Sequence, residues 1–177
     1  LSGQRLPAFV FEIEAGPVWQ SRNEVRIPNN EAGTRFSLTD LAGRGPWPAP
    51  RLYLTWNVNQ RHGLRVLLAP LSYTETATVT DPISFAGSDF QSGTPIEATY
   101  KFSSWRLNYR YRFMEGESLD LWVGFTAKLR DAKIEMKQGE TSAKDTDLGF
   151  VPLLYFAADK RIDSRWHLVF DFNGLAG

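Results

Sequence analysis

Hydrophobic and polar residues alternate along much of the chain, in segments of about ten residues. The clearest segment is 105–113, WRLNYRYRF, whose odd-numbered positions are all apolar or aromatic and whose even-numbered positions are arginine or asparagine. Because successive side chains of a strand point to opposite faces, this segment predicts a strand with one apolar and one cationic face. Helical periodicity is weak throughout, so the chain is predicted to be almost entirely β-structure.

Seven strands are predicted within a single domain that covers residues 1–177. They span residues 8–20, 50–59, 63–79, 95–113, 118–136, 148–160 and 165–173. The third strand loses its alternation at Leu67, Leu68 and Pro70, which favours a β-bulge at that point.

The connections between these strands alternate in length. Long or moderate loops at 21–49, 80–94 and 137–147 alternate with the short turns QRHG, MEGES and IDS. In an antiparallel meander, this places all the short turns on one side and the longer loops on the other, as in bacterial outer-membrane barrels. The first long loop contains the hydrophobic segment RFSLTDL, for which we expect a short helix or a β extension. It is the best candidate for contact with partners.

The pattern of strands and loops resembles the small outer-membrane barrels of the OmpA and OmpX type over essentially the whole chain. The resemblance rests on architecture and not on a signature motif. It implies an all-β fold, an up-and-down antiparallel transmembrane β-barrel of about eight strands. It further implies a porin-like protein of the Gram-negative outer membrane that contacts outer-membrane lipid and lipopolysaccharide.

In this interpretation the apolar face meets lipid and the polar face lines a lumen. Residues expected to face outward are Trp105, Leu107, Tyr109, Tyr111, Leu119, Leu121, Val123, Phe125, Trp166, Leu168 and Phe170. Aromatic side chains, among them Trp19 and Trp56, would form the interfacial belts, where one end of the ring is apolar and the other is wet.

The strand count is one short of a closed barrel, because single-chain bacterial barrels have even strand numbers. The chain stops at DFNGLAG on the long-loop side. An open sheet in hydrocarbon would leave strand-edge N–H and C=O groups without partners. We therefore expect the natural protein to continue past Gly177 with another loop and a last strand, now missing, that pairs with the first strand around residues 9–19.

Composition excludes several classes of protein. The 20 basic and 20 acidic residues cancel, which removes the electrostatic argument for a nucleic-acid partner. No run of eighteen apolar residues occurs, so a transmembrane helix is excluded. Cysteine is absent, and no calcium-loop or zinc-type spacing is present, so we expect neither a metal nor another cofactor.

The candidate functional residues are the charged side chains of the predicted lumen face. They are Glu12, Glu14, Arg51, Arg65, Arg106, Arg110, Asp120, Lys128, Arg130, His167 and Asp171. Buried charges must be paired, so we expect a salt-bridged network that largely plugs a narrow interior, with cationic partners for Glu12 and Glu14 from neighbouring strands. The alternative is a thin, slightly cationic path for small anionic solutes. Either implies a monomer with a structural or small-solute transport role.

Two other functions compete with this interpretation. The lipid A deacylase and palmitoyltransferase families resemble this scaffold and use a serine with a histidine and an acid. His62 lies in a predicted periplasmic turn, His167 points inward with Asp171 two lumen positions along, and no serine is placed beside either, so we do not expect an enzyme. The second is a soluble lipocalin-like ligand-binding barrel, whose apolar face would point inward.

Overall fold

The computed structural model describes residues 5–175 as an all-β protein with a single short helix. The elements are β1 (Phe9–Glu14), β2 (Pro17–Val18), β3 (Glu24–Val25), β4 (Phe36–Ser37), α1 (Leu38–Leu41), β5 (Trp47–Pro48), β6 (Arg51–Asn57), β7 (His62–Ala69), β8 (Ser72–Thr78), β9 (Ile83–Phe85), β10 (Ser88–Phe90), β11 (Pro95–Glu115), β12 (Leu119–Gln138), β13 (Thr141–Arg161) and β14 (His167–Gly174). In this range no helix has the length and apolar character needed to cross a membrane.

The main sheet is an antiparallel meander in the order β1-β6-β7-β11-β12-β13-β14, with β8 continuing the line of β7 along β11. The sheet curls into a half-barrel. The curl brings β7 and β14 close enough for Arg65 to reach across the concave side to Asp171. The antiparallel order of the predicted strands is confirmed. The first strand, however, ends at Glu14 and not at residue 20, and the third is divided into β7 and β8.

The two edges of the sheet do not pair with each other. Among residues 5–175, β1 hydrogen-bonds only to β6 and β14 only to β13. The fold is therefore an open half-barrel and not a closed barrel of seven strands. The expected last strand beyond Gly177 lies outside the described residues, and it stays a prediction.

Because side chains alternate along a strand, every long strand of the curled sheet has one convex and one concave face. On the convex face, Phe11 and Phe125 are 64% and 66% exposed, whereas Asn108 and Thr126 on the concave face are 4% and 2% exposed. All the residues expected to face outward occupy convex positions, apart from Trp166, which is exposed in the turn before β14. The curl thus encloses polar side chains on the concave side and exposes apolar side chains on the convex side.

The predicted bulge at residues 67–70 is wrong. Ser104 pairs with Ala69 and Lys101 pairs with Ser72, so three steps on β11 match three steps across Pro70 without an extra residue. The ladder is interrupted because proline has no N–H to donate. The register shift lies instead between Arg112 and Met114 of β11.

The predicted loop at 137–147 is also wrong. β12 and β13 stay paired up to Gln138 and Thr141, and a two-residue turn joins them. Gly139 at the first turn position has a φ of +58°, which glycine adopts without strain in a hairpin turn. The polar sequence that suggested a loop is a strand pair whose residues are mostly exposed.

A second structural unit, the cap, consists of α1 and the short strands β3, β4, β5, β9 and β10. It packs on β8 and the adjacent ends of β11, β12 and β13. The buried apolar cluster beneath it comprises Val25, Phe36, Leu38, Leu41, Ala42, Trp47, Tyr73, Ile83, Phe85, Phe90, Ile96, Ala98, Met136 and Ala143. The first long loop does form the expected helix and strands. Its apolar segment faces this core, however, so Leu38 and Leu41 are closed to partners.

The Trp47 and Tyr73 rings hold the cap on the sheet. They stack with centroids 3.6 Å apart and an interplanar angle of 7°. The Tyr73 hydroxyl is buried and has no hydrogen-bond partner among the described residues. Burial raises the pKa of Tyr73, and the neighbouring Tyr100 adds to the rise. The stack contributes packing, while the hydroxyl costs stability.

We predict that Tyr73→Phe leaves the free energy of unfolding unchanged or raises it by about 1 kcal/mol, because it removes an unpaired buried hydroxyl and keeps the stack. Trp47→Ala should lower it by about 3 kcal/mol, because it removes a buried aromatic side chain. Urea unfolding monitored by far-ultraviolet circular dichroism measures both. A clear loss of stability in Tyr73→Phe would contradict the prediction.

Candidate functional site: the polar concave face

Arg65 occupies the centre of the concave face and joins the two edges of the sheet. Its Nη2 lies 3.1 Å from Glu12 Oε2 on β1, and its Nη1 lies 3.0 Å from Asp171 Oδ2 on β14. The side chain is 14% exposed, and its guanidinium also stacks 4.4 Å from the centroid of the Tyr53 ring. One cation therefore neutralises a carboxylate on each edge strand.

An amide and hydroxyl network lies beside this ion triad. Asn108 Nδ2 donates to Thr126 Oγ1 at 2.7 Å and to Asn173 Oδ1 at 2.8 Å. Arg110 Nη2 donates to Asn57 Oδ1 at 3.0 Å. These hydrogen bonds link β6, β11, β12 and β14 across the curl, so neutral polar residues as well as ion pairs join the strands on the concave face.

The short-turn end of the concave face holds a second ionic cluster. The Arg112 side chain is fully buried, with Nη2 3.1 Å from Glu115 Oε1 and Nη1 3.8 Å from Asp120 Oδ2. Arg161 Nη2 lies 3.9 Å from the same Asp120 oxygen. This cluster alternates cations and anions at that end of the concave face.

All the charged residues predicted for the lumen occupy concave-face positions, but they fall into separate groups. Glu12, Arg65 and Asp171 come together. Glu14 and Arg51 lie 3.9 Å apart, and both side chains are more than half exposed. The expected cationic partners of Glu12 and Glu14 are thus present, and they come from β7 and β6.

Several charged partners of the predicted lumen residues were not identified from the sequence. Asp120 pairs with Arg112 and Arg161, and Arg130 pairs with Asp147. Arg112 and Asp147 occupy inward positions that strand alternation could have assigned, had β13 been extended back to Thr141. Arg161 ends β13 at a turn, where alternation gives no guide.

Among the described residues, neither histidine ring forms a hydrogen bond to a serine hydroxyl. His167 Nδ1 is 3.0 Å from Asp159 Oδ1, whereas Asp171 is bound by Arg65 and by the Tyr155 hydroxyl. His62 Nδ1 is 2.7 Å from the Tyr109 hydroxyl on the convex face. Within residues 5–175, no group of three acidic or histidine side chains could hold a metal ion. The site is therefore a set of ion pairs and amides.

We predict that Arg65→Met lowers the free energy of unfolding by about 2 kcal/mol, because Glu12 and Asp171 both lose their counter-ion on a partly buried surface. The matched control is Arg44→Met, which breaks the exposed Arg44–Asp40 pair and should cost under about 0.5 kcal/mol. Urea unfolding of the two variants supplies the comparison. Equal effects would mean that the concave face is fully solvated.

Comparison with known proteins assigns no family to this chain. No protein-family model matches the sequence, and no curated protein matches it either. The resemblance to the OmpA and OmpX barrels is thus a resemblance of architecture, and family membership stays a prediction. The functional conclusion consequently rests on the geometry of the sheet and on the chemistry of its two faces.

Proposed function

We propose that this chain is a bacterial outer-membrane β-barrel protein with a charged, largely plugged lumen and a structural or small-solute transport role. The observation that carries the proposal is the polarity of the sheet. Apolar side chains are exposed on the convex face, and charged and amide side chains pair on the concave face. Hydrocarbon would solvate the apolar convex face, and a narrow lumen would accommodate the paired polar side chains of the concave face.

The apolar residues of the convex face form continuous rows across the strands. One row follows the register through Phe9, Trp56, Leu64, Tyr109, Phe125 and Leu154. Monomeric proteins in water rarely expose apolar patches larger than a few hundred Å². A groove of about 740 Å³ on this face, lined mainly by apolar and aromatic side chains that include Val123, Phe156 and Phe172, offers room for a hydrocarbon chain.

The apolar band has the height that a bilayer requires. On β11 it runs from Trp105 to Phe113, a length that suits a tilted strand crossing the hydrocarbon in about 9–11 residues. Beyond the band, the convex face becomes charged: Lys101 pairs with Asp131 at 2.5 Å. Hydrogen bonds from Lys133 and then Lys137 hold the pKa of Glu135 below its usual range. We place these outer halves, with the cap, in water.

Membrane insertion also requires the edges of the sheet to be paired. Unpaired backbone groups in hydrocarbon cost several kcal/mol each. Glu12 and Asp171 on the two edge strands bind one guanidinium, so the edges approach each other across the concave side. A further strand between β14 and β1 would close the sheet, and closure of this kind is part of the proposal.

The competing functions find less support in the geometry. A lipid-modifying hydrolase or acyltransferase needs a nucleophile beside its histidine, whereas the imidazole rings of His62 and His167 hydrogen-bond Tyr109 and Asp159 within residues 5–175. A lipocalin-like barrel needs an apolar interior, whereas Arg65, Asn108 and Thr126 lie on the concave face of this sheet. We expect a monomer that contacts outer-membrane lipid and lipopolysaccharide.

Cell fractionation tests the proposal directly. We expect the protein in the outer-membrane fraction, with faster gel migration in unheated than in heated samples, because a barrel stays folded in detergent until it is boiled. Recovery in a soluble fraction with a single gel mobility would overturn the proposal.

We predict that Phe125→Arg lowers the free energy of unfolding from lipid vesicles by about 2 to 4 kcal/mol, because the charge would enter the middle of the apolar band. The control is Thr146→Arg, at an exposed convex position in the charged region, which should cost little. Urea titrations of vesicle-bound protein, monitored by tryptophan fluorescence, measure both. If the two variants are equally stable in vesicles, Phe125 does not face lipid.

A further inference from the structure

Three cations lie side by side on the concave face, between the Arg65 triad and the cap. Arg106 of β11 pairs in register with Lys128 of β12, and Arg130 follows two residues later on the same face. Side chains directly opposite on antiparallel strands have Cβ atoms about 5 Å apart. The Lys128 ammonium therefore projects from the same face of the sheet as the two guanidinium groups.

This cationic group is poorly compensated. Arg130 forms an ion pair with Asp147. In the part of the chain that the structure describes, neither Arg106 nor Lys128 forms an ion pair, and the side-chain hydrogen bond of Arg106 is a long one of 3.4 Å to Ser104 Oγ. Two positive charges are left over, in contrast to Arg65 and Arg112, each of which contacts two carboxylates.

The surroundings leave an unpaired N–H donor at this position and supply no counter-charge. Arg130 Nε is buried and has no hydrogen-bond partner among the described residues. Gly149 lies opposite Arg130, and the Arg130 guanidinium packs over it, since a Cβ at Gly149 would come within 3.2 Å of Arg130 Nη2. The other neighbours at this level, Leu67 and Val151, are apolar and supply no counter-charge. A ligand would therefore meet the N–H donors of Arg106 and Lys128, which have no ion-pair partner among the described residues.

Like charges directly opposite in a sheet are destabilising, and partial removal from water increases the cost. We propose that Arg106, Lys128 and Arg130 bind a small doubly charged oxyanion of the sulfate or phosphate class. Its two charges match the two uncompensated cations, and its oxygens accept charge-assisted hydrogen bonds from guanidinium and ammonium groups. This goes beyond the proposed function, since it depends on the sheet and not on membrane insertion.

Thermal unfolding of the full chain, folded in zwitterionic detergent, tests the site with sulfate against chloride at equal ionic strength. Sulfate should raise the unfolding midpoint of the natural sequence in a saturable way. In Lys128→Met the affinity for sulfate should fall about tenfold or more, because one charge-assisted contact is lost. In chloride, the same variant should unfold at an equal or higher temperature, because the cross-strand repulsion is gone.

Lys144→Met is the matched control, because Lys144 is exposed on β13 outside the site, and it should respond to sulfate as the natural sequence does. Arg106→Gln provides the same reading should Lys128→Met not fold. An equal sulfate response in all variants would reflect general exclusion of the ion from protein surfaces, and it would overturn the proposal. So would the absence of any response.

Discussion

A sheet that curls with its polar face inward removes those polar groups partly from water, so they are satisfied largely by one another. The Arg65 guanidinium is the centre of the solution adopted here, because it binds carboxylates on both edge strands. Asn108 and Thr126 complete it with hydrogen bonds to Asn173. The curvature of the sheet and the pairing of its interior groups therefore depend on each other.

The concave face changes character along the strands. On β11 the inward positions Ile96 and Ala98 are fully buried in the apolar cluster under the cap, while Asn108 and Arg112, further along the same face, are buried among polar partners. The same face of β11 thus contributes to the apolar core under the cap and to the polar interior of the curl. The cationic group at Arg106 and Lys128 lies at the transition between them, where neither core provides a counter-ion.

The sequence was informative wherever alternation was strict. The inward set, from Glu12 to Asp171, followed from a period of two, because each of these strands has one polar and one apolar face. Alternation failed at 137–147, where both faces are polar and a hairpin resembles a loop. It also failed at Pro70, where the sequence predicted a bulge. The ladder is interrupted there only because proline lacks an N–H, and no residue is inserted. The specific ion partners depend on strand stagger, which alternation does not encode.

The length of the central strands carries a mechanical consequence. β11, β12 and β13 hold 21, 20 and 21 residues, so each extends for roughly 70 Å. The β11–β12 ladder runs in one register from Glu97 opposite Lys137 to Arg112 opposite Trp122. This ladder has no break between the cap and the charged interior. A displacement of the cap would therefore be transmitted through continuous backbone hydrogen bonds to the level of the Arg65 triad.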